Sequence, residues 1–154
     1  MHPNTERVVA ALRAAGCESE VVELTEPART AAEAAALLGV SAGQIANSLV
    51  FTADGDPLLV MTSGANRVDT AALGERIGAT VDRADAATVR AATGFPIGGV
   101  APVGHTTALR VLVDEDLLGH DVVWAAGGTP HTLFQTSGPE LLRVTGGTPV
   151  RVTP

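Results

Sequence analysis

The groups in this sequence best suited to chemistry are the peptide amides of one loop, Gly94-Phe95-Pro96-Ile97-Gly98-Gly99-Val100-Ala101-Pro102-Val103-Gly104-His105, which carries four glycines and two prolines. Gly98 and Gly99 can take positive φ and let a ligand reach bare backbone. Pro96 and Pro102 stiffen the flanks, so that the amides between them point in fixed directions. Such a loop can receive an oxyanion. A long connection that only has to turn would use the same residues, so the rest of the chain must decide between the two.

Side-chain catalysts are scarce. No Gly-x-Ser-x-Gly elbow occurs, and the dispersed Ser and Asp residues read as helix caps and turns. Cys17 is the single cysteine. It excludes an internal disulfide, supplies no Cys-x-x-Cys spacing, and has no His or Asp neighbour to activate it. His2, His105, His120 and His131 lack His-x-x-x-His pairing, so neither a metal site nor a cofactor is expected.

The elements that must position the loop can be followed in order. Asn4 is a candidate N-cap for a helix with Val8, Val9, Leu12 and Ala15 on one face and Gly16 at its end. Glu20–Leu24 reads as a short strand. Thr30-Ala31-Ala32-Glu33 reads as a capping box opening an alanine-rich helix, and Ser41-Ala42-Gly43-Gln44 as a second box. Asn47–Thr52 and Pro57–Met61 form β-rich runs around an Asp54-Gly55 hairpin signal.

Strand alternation puts Asn47, Leu49 and Phe51 on one face and Ser48, Val50 and Thr52 on the other, so Asn47 and Ser48 are not expected to line one pocket. Helices follow from Asp69 to Gly78 and over Ala84–Ala92, the latter leading into the loop. Beyond it come strands at Ala108–Val113, Val122–Ala125 and His131–Thr136, then a helix capped at Ser137-Gly138-Pro139-Glu140. Strands and helices interleave without a regular βαβ period, which predicts a single α+β domain over 1–154 with one mixed sheet and helices packed around it.

With 154 residues and 45 % hydrophobic content, the chain has material for one core, built mostly from Ala, Val and Leu. The formal net charge is −7, and all ten basic residues are arginine. An acidic protein gains little from general attraction to phosphate backbones, so nucleic-acid contacts must be local or shared with a partner, and DNA is not an expected ligand. No run has the length of a membrane span and no signal peptide opens the chain, so a cytoplasmic location is expected.

The loop, read as Gly98-x-x-x-Pro102, resembles the Gly-x-x-x-Pro loop of the YbaK/ProX family, editing domains related to the insertion domain of bacterial prolyl-tRNA synthetases. Gln44-Ile45-Ala46-Asn47-Ser48-Leu49-Val50-Phe51, Val68-Asp69-Thr70-Ala71-Ala72-Leu73 and Trp124-Ala125-Ala126-Gly127-Gly128 resemble further family segments in the same order. The resemblance implies a mostly antiparallel, barrel-like sheet. It also implies hydrolysis of the ester joining a wrongly chosen amino acid to a tRNA end, with the vicinal 2′-hydroxyl of the tRNA able to carry the proton in place of a protein base.

Under that resemblance Gly98, Gly99, Val100 and Ala101 offer amide donors to the ester carbonyl, Pro102 fixes their direction, and Gly99→Val is expected to abolish activity. His105 and His131 follow Gly/Pro turns. Each either relays a proton or stacks on the terminal adenine, or is a structural histidine. Gly127 and Gly128 join them as candidate substrate contacts.

Asn47 departs from the family, many of whose members carry a lysine there. Asn can donate and accept hydrogen bonds but cannot balance a charge. Two readings follow: a working deacylase for mischarged aminoacyl-tRNA, acting transiently and with prolyl-tRNA synthetase as a candidate partner, or a non-catalytic module of the same fold that binds an aminoacyl-adenosine-like ligand or a synthetase.

Overall fold

The computed structural model describes residues 1–154. Helix α1 (Pro3–Ala14) is capped by His2, whose Nδ1 accepts from the Asn4 amide at 3.0 Å. The expected cap, Asn4, lies inside the first turn because Pro3, lacking an N–H, suits the first helical position. Val8 and Leu12, one turn apart, are fully buried. After β1 (Val21–Glu23) comes α2 (Ala31–Leu38), with Thr30 Oγ1 accepting from the Glu33 amide at 3.1 Å. The Glu33 carboxylate accepts from the Arg29 amide at 2.7 Å, so the expected box is displaced by one residue.

A 3-10 turn (Ala42–Gln44) feeds β2 (Ile45–Ala53) and β3 (Asp56–Ser63), joined through Asp54 at φ 50° and Gly55 at φ 87°. Two successive positive φ values make the tight mirror-image turn that matches strand twist. There follow α3 (Thr70–Ile77), β4 (Val81–Arg83), α4 (Ala86–Thr93), β5 (Arg110–Asp114), β6 (Val123–Ala126), β7 (Thr132–Thr136), α5 (Gly138–Thr145) and β8 (Thr148–Val150). Of these, β4 and β8 are absent from the sequence-based expectation, since three residues are too few to show an alternation.

The sheet runs β1-β7-β6-β2-β3-β5-β8, with β4 paired to β2 off that path. Pairs β1/β7, β2/β3, β2/β4 and β6/β7 are antiparallel, whereas β2/β6, β3/β5 and β5/β8 are parallel. The mixed sheet is as expected. It stays open, however, because its end strands β1 and β8 do not pair with each other, so the barrel-like closure is not reached.

Both faces of β3 are buried. Leu59 and Met61 point into a large cluster with Phe95, Phe134 and Leu141, and Leu58 and Val60 into a second with Phe51, Leu73 and Leu112. A strand covered on both faces reads as a continuous apolar run, as Leu58–Met61 does.

One discontinuity matters for function. The edge of β2 away from β3 is covered by β6 at Ile45 and Ala46 and by β4 at Phe51–Ala53. Residues 47–50 between those patches have no strand beside them on that edge.

Candidate active site

The loop after α4 is held from both ends by a residue far away in sequence. Arg7 of α1 donates from Nε to the Gly104 carbonyl at 3.2 Å and from Nη2 to the Gly94 carbonyl at 3.1 Å. Its guanidinium lies 4.4 Å from the ring centroid of Phe95, which is fully buried. One planar, permanently charged fork thus joins the start and finish of the loop and stacks on its anchor.

Between these anchors Pro96-Ile97-Gly98-Gly99 forms a turn in which the Gly99 amide donates to the Pro96 carbonyl at 3.0 Å and Gly98 sits at φ 84°. Positive φ at the third position defines a type II turn and calls for glycine there. The turn occupies the Gly99 amide. A Cβ on Gly99 would come no nearer than 3.4 Å to Pro96, so this glycine is not sterically required. The amides of Gly98, Val100 and Ala101 have no acceptor within the protein. Beyond them Val100, Ala101, Pro102 and Val103 are buried and pin the returning chain.

Gly98 and Val100 face a cleft of about 540 Å3 bounded by β2 residues 47–51, the start of α2, Asn66, Arg67, Val68 and Thr70, the Arg83-Ala84 segment and the Thr129-Pro130 turn. Asn47 and Ser48 both line it. The expectation that they could not fails because the cleft straddles the uncovered edge of β2, and an edge is reached from both faces. Asn47 is half-buried and its carboxamide has no protein partner. Exposed Arg29, Arg67 and Arg83 stand at the cleft, and no Asp, Glu, His, Cys or Lys lines it.

His105 lies on the other side of the loop. Its Nε2 meets the Ala101 carbonyl at 2.7 Å, its ring packs edge-on to Phe95 at 6.2 Å, and it borders a hollow with Pro102. Burial holds its pKa below the ordinary 6.5, the bond to Ala101 opposes that shift, and the Arg7 charge adds to it. The neutral ring therefore braces the loop from behind.

His131 and Gly128 line an adjoining cavity of about 430 Å3 that shares Thr129, Pro130 and Thr132 with the cleft. His131 Nδ1 and Thr5 Oγ1 are buried there without partners. Gly128, at φ 107°, packs against α1, where a Cβ would approach the Asn4 carbonyl oxygen to 2.8 Å, and the Gly127 amide donates to the Thr132 carbonyl at 2.8 Å. Of the residues singled out from sequence, Gly98, Val100 and Asn47 thus meet in one cleft. Gly99 and Ala101 adjoin them in the loop, Pro102 borders the hollow behind it, Gly128 and His131 stand next door, and His105 and Gly127 serve the surrounding backbone.

Two supports went unnoticed in the sequence. One is Arg7. The other is Asp114, 1 % exposed, whose Oδ2 accepts from the Ser63 amide at 3.0 Å and from Asn66 Nδ2 at 2.9 Å, while Asn66 Nδ2 also meets Asp116 Oδ2 at 2.7 Å. This cluster fixes the turn that carries Asn66 and Arg67 to the cleft. Asp114 also caps the 3-10 turn Glu115–Leu117, its Oδ1 accepting from the Asp116 amide at 3.0 Å.

Comparison with known proteins places this architecture. Residues 25–144 match the model of the aminoacyl-tRNA editing domain. The chain belongs to that family. A solved structure proposed to be a trans-editing enzyme for prolyl tRNA synthetase superposes with a TM-score of 0.93 at 44 % identity, covering 100 % of this chain and 99 % of the other.

The proline–tRNA ligase of Nitratidesulfovibrio vulgaris (strain DP4) is 36 % identical over 104 residues, 67 % of this chain but only 18 % of the ligase. This editing domain therefore spans a small part of the curated ligases it matches. The uncharacterised protein YwhH of Bacillus subtilis (strain 168) is 30 % identical over 125 residues, 80 % of each chain.

Proposed function

We propose that this editing domain hydrolyses the ester of mischarged aminoacyl-tRNA in trans. The observation that carries the reading is that Gly98 and Val100, whose amides have no acceptor within the protein, line a cleft that holds no carboxylate, imidazole, thiol or amine. An aminoacyl ester is already reactive, so it needs placement and stabilisation of the developing oxyanion more than a strong nucleophile. The ester carbonyl sits against the Gly98 and Val100 amides. Because the type II turn and the Arg7 fork set those amides before substrate arrives, little reorganisation accompanies the reaction.

A water molecule attacks the carbonyl carbon, and the bond to the tRNA ribose oxygen breaks. The proton lost by water has no side-chain base to go to, so the tRNA 2′-hydroxyl beside the ester accepts it while passing its own proton to the leaving ribose oxygen. Asn47 orients the ester by hydrogen bonding. Arg29, Arg67 and Arg83 offer local cationic contacts to tRNA phosphates on a chain of net charge −7, which accounts for transient binding rather than tight association. The ligase relatives support action on the products of prolyl-tRNA synthetase, in the cytoplasm.

The test is release of amino acid from a panel of charged tRNAs, including alanyl-, cysteinyl- and seryl-tRNA with proline-type bodies. Selective release that is lost in Gly98→Val supports the reading. Failure to release any of them by folded protein favours the second reading, a binding module, to which the neutral Asn47 also points.

A further inference from the structure

An aminoacyl ester carries an ammonium group on the carbon next to the carbonyl. If the carbonyl rests on Gly98 and Val100, as the proposed function has it, that cation is buried in the same cleft and needs an acceptor. The cleft offers no carboxylate, and the charges that line it, Arg29, Arg67 and Arg83, have the same sign as the ammonium. Only a neutral oxygen can serve.

The uncovered edge of β2 supplies one. The Gly64 amide donates to the Ile45 carbonyl on the β3 side at 2.8 Å, whereas the Asp54 amide donates to the Thr80 carbonyl at 2.9 Å and the Val50 carbonyl accepts from the Ala84 amide at 3.4 Å on the opposite side. Backbone groups alternate along a strand, so odd-numbered residues of β2 address β3 and even-numbered ones address the other edge. Ser48 N–H, Ser48 C=O and Val50 N–H therefore point into the gap between β6 and β4, where no strand meets them.

This gap opens on the cleft, since Ser48 and Val50 both line it. Unpaired strand edges bind whatever presents complementary donors and acceptors. Here the array is donor, acceptor, donor, and the central acceptor is held rigid by the β2/β3 ladder on either side of it.

We propose that the Ser48 main-chain carbonyl receives the α-ammonium of the aminoacyl group, so that the free edge of β2 reads the presence of an α-amino acid. The Ser48 side chain is committed elsewhere, its hydroxyl donating to Met61 Sδ at 3.4 Å. Backbone recognition tolerates any side chain on the substrate and leaves selection among amino acids to the cleft walls.

Two non-hydrolysable probes test the assignment: 3′-amino-3′-deoxyadenosine carrying an alanyl amide, and the same nucleoside carrying a propionyl amide, which lacks only the α-amino group. Binding to 13C,15N-labelled protein is followed by NMR. The alanyl probe should bind about tenfold more tightly or better, as a charge-assisted hydrogen bond requires, and should move the Ser48 carbonyl resonance where the propionyl probe does not.

That preference should persist in Asn47→Ala, because the acceptor is main chain. Equal affinities, an unmoved Ser48 carbonyl, no binding of either probe, or loss of the preference in Asn47→Ala would each overturn the assignment. Release from charged tRNA with equal probe affinities removes this inference alone. Absence of release with the alanyl preference intact removes the hydrolytic function and leaves the ammonium site standing.

Discussion

The Arg7 guanidinium stacks on Phe95 with its central carbon 4.4 Å from the ring centroid, and the same group donates to the carbonyls of Gly94 and Gly104 that bracket Phe95 in the chain. Helix α1 thereby sets the conformation of a loop whose far end is 97 residues away in sequence. Arg7→Met keeps the aliphatic stem and deletes the fork. It should destabilise the fold by about 2 to 3 kcal/mol, from two charge-assisted hydrogen bonds left unmade, and lower kcat far more than it alters KM. Arg7→Lys should recover only part of the loss, since an ammonium cannot bond both carbonyls in a plane and stack at once. Denaturant titration and single-turnover deacylation measure the two effects. Unchanged kcat in folded Arg7→Met would show that the loop holds its shape without the fork.

The two central glycines should behave differently. Gly98 lies at φ 84°, and a Cβ added there would meet nothing within 4 Å, so Gly98→Val strains backbone without a clash. The cost to stability should be about 1 to 2 kcal/mol, and the displaced amides should cost about 100-fold in rate. Gly99 has ordinary φ and ordinary contacts, and its amide is spent on Pro96. Gly99→Ala should stay within a few-fold of the parent. The expectation from sequence placed the sensitive position at Gly99, and kinetics of Gly98→Ala and Gly99→Ala side by side decide which position is the sensitive one.

His105 predicts the acid limb of the stability profile. Its folded pKa lies below the ordinary 6.5, chiefly through burial. Above 6.5 the ring is neutral in both states and contributes no pH dependence. As pH falls below 6.5 the unfolded chain takes up a proton that the folded chain resists, so stability declines toward the folded pKa. Equilibrium unfolding at a series of pH values should show this slope in the parent and a shallower one in His105→Gln. Parallel slopes would contradict the assignment.

Asp114→Ala should be the most damaging substitution outside the apolar core. It leaves the buried Ser63 amide without an acceptor and releases Asn66 from one of its two carboxylates, costing about 3 kcal/mol. Thermal unfolding reports the loss. A change below about 0.5 kcal/mol, the scale of a neutral surface substitution, would show that solvent reaches the site and replaces the carboxylate.

Local order in this protein was legible and distant order was not. The Asp54-Gly55 hairpin and the caps at Thr30, Asp69 and Ser137 announce themselves because the cue and its effect lie within four residues. The run Gly94–His105 was recognisable as a constrained loop by its glycines and prolines, and Asn47 as a strand residue by its place after Gln44. The clamp by Arg7 was hidden because nothing local distinguishes a clamping arginine from a solvated one.

The meeting of Asn47 with Ser48 was hidden for a different reason. Face alternation assumes a covered strand, and the interruption between β4 and β6 depends on pairings among segments about 30 and 75 residues beyond β2 in sequence. β4 and β8 were missed because each is three residues long and takes its conformation from a neighbour.

The measurement that bears most directly on the mechanism is deacylation of the preferred mischarged tRNA prepared with either adenosine or 2′-deoxyadenosine at its terminal position, followed under single-turnover conditions. A cleft without a protein base predicts that removing the 2′-hydroxyl slows release by about 100-fold or more, the usual worth of a positioned proton acceptor, while binding is retained. Equal rates on the two tRNAs would contradict the account, for the proton would then have another destination.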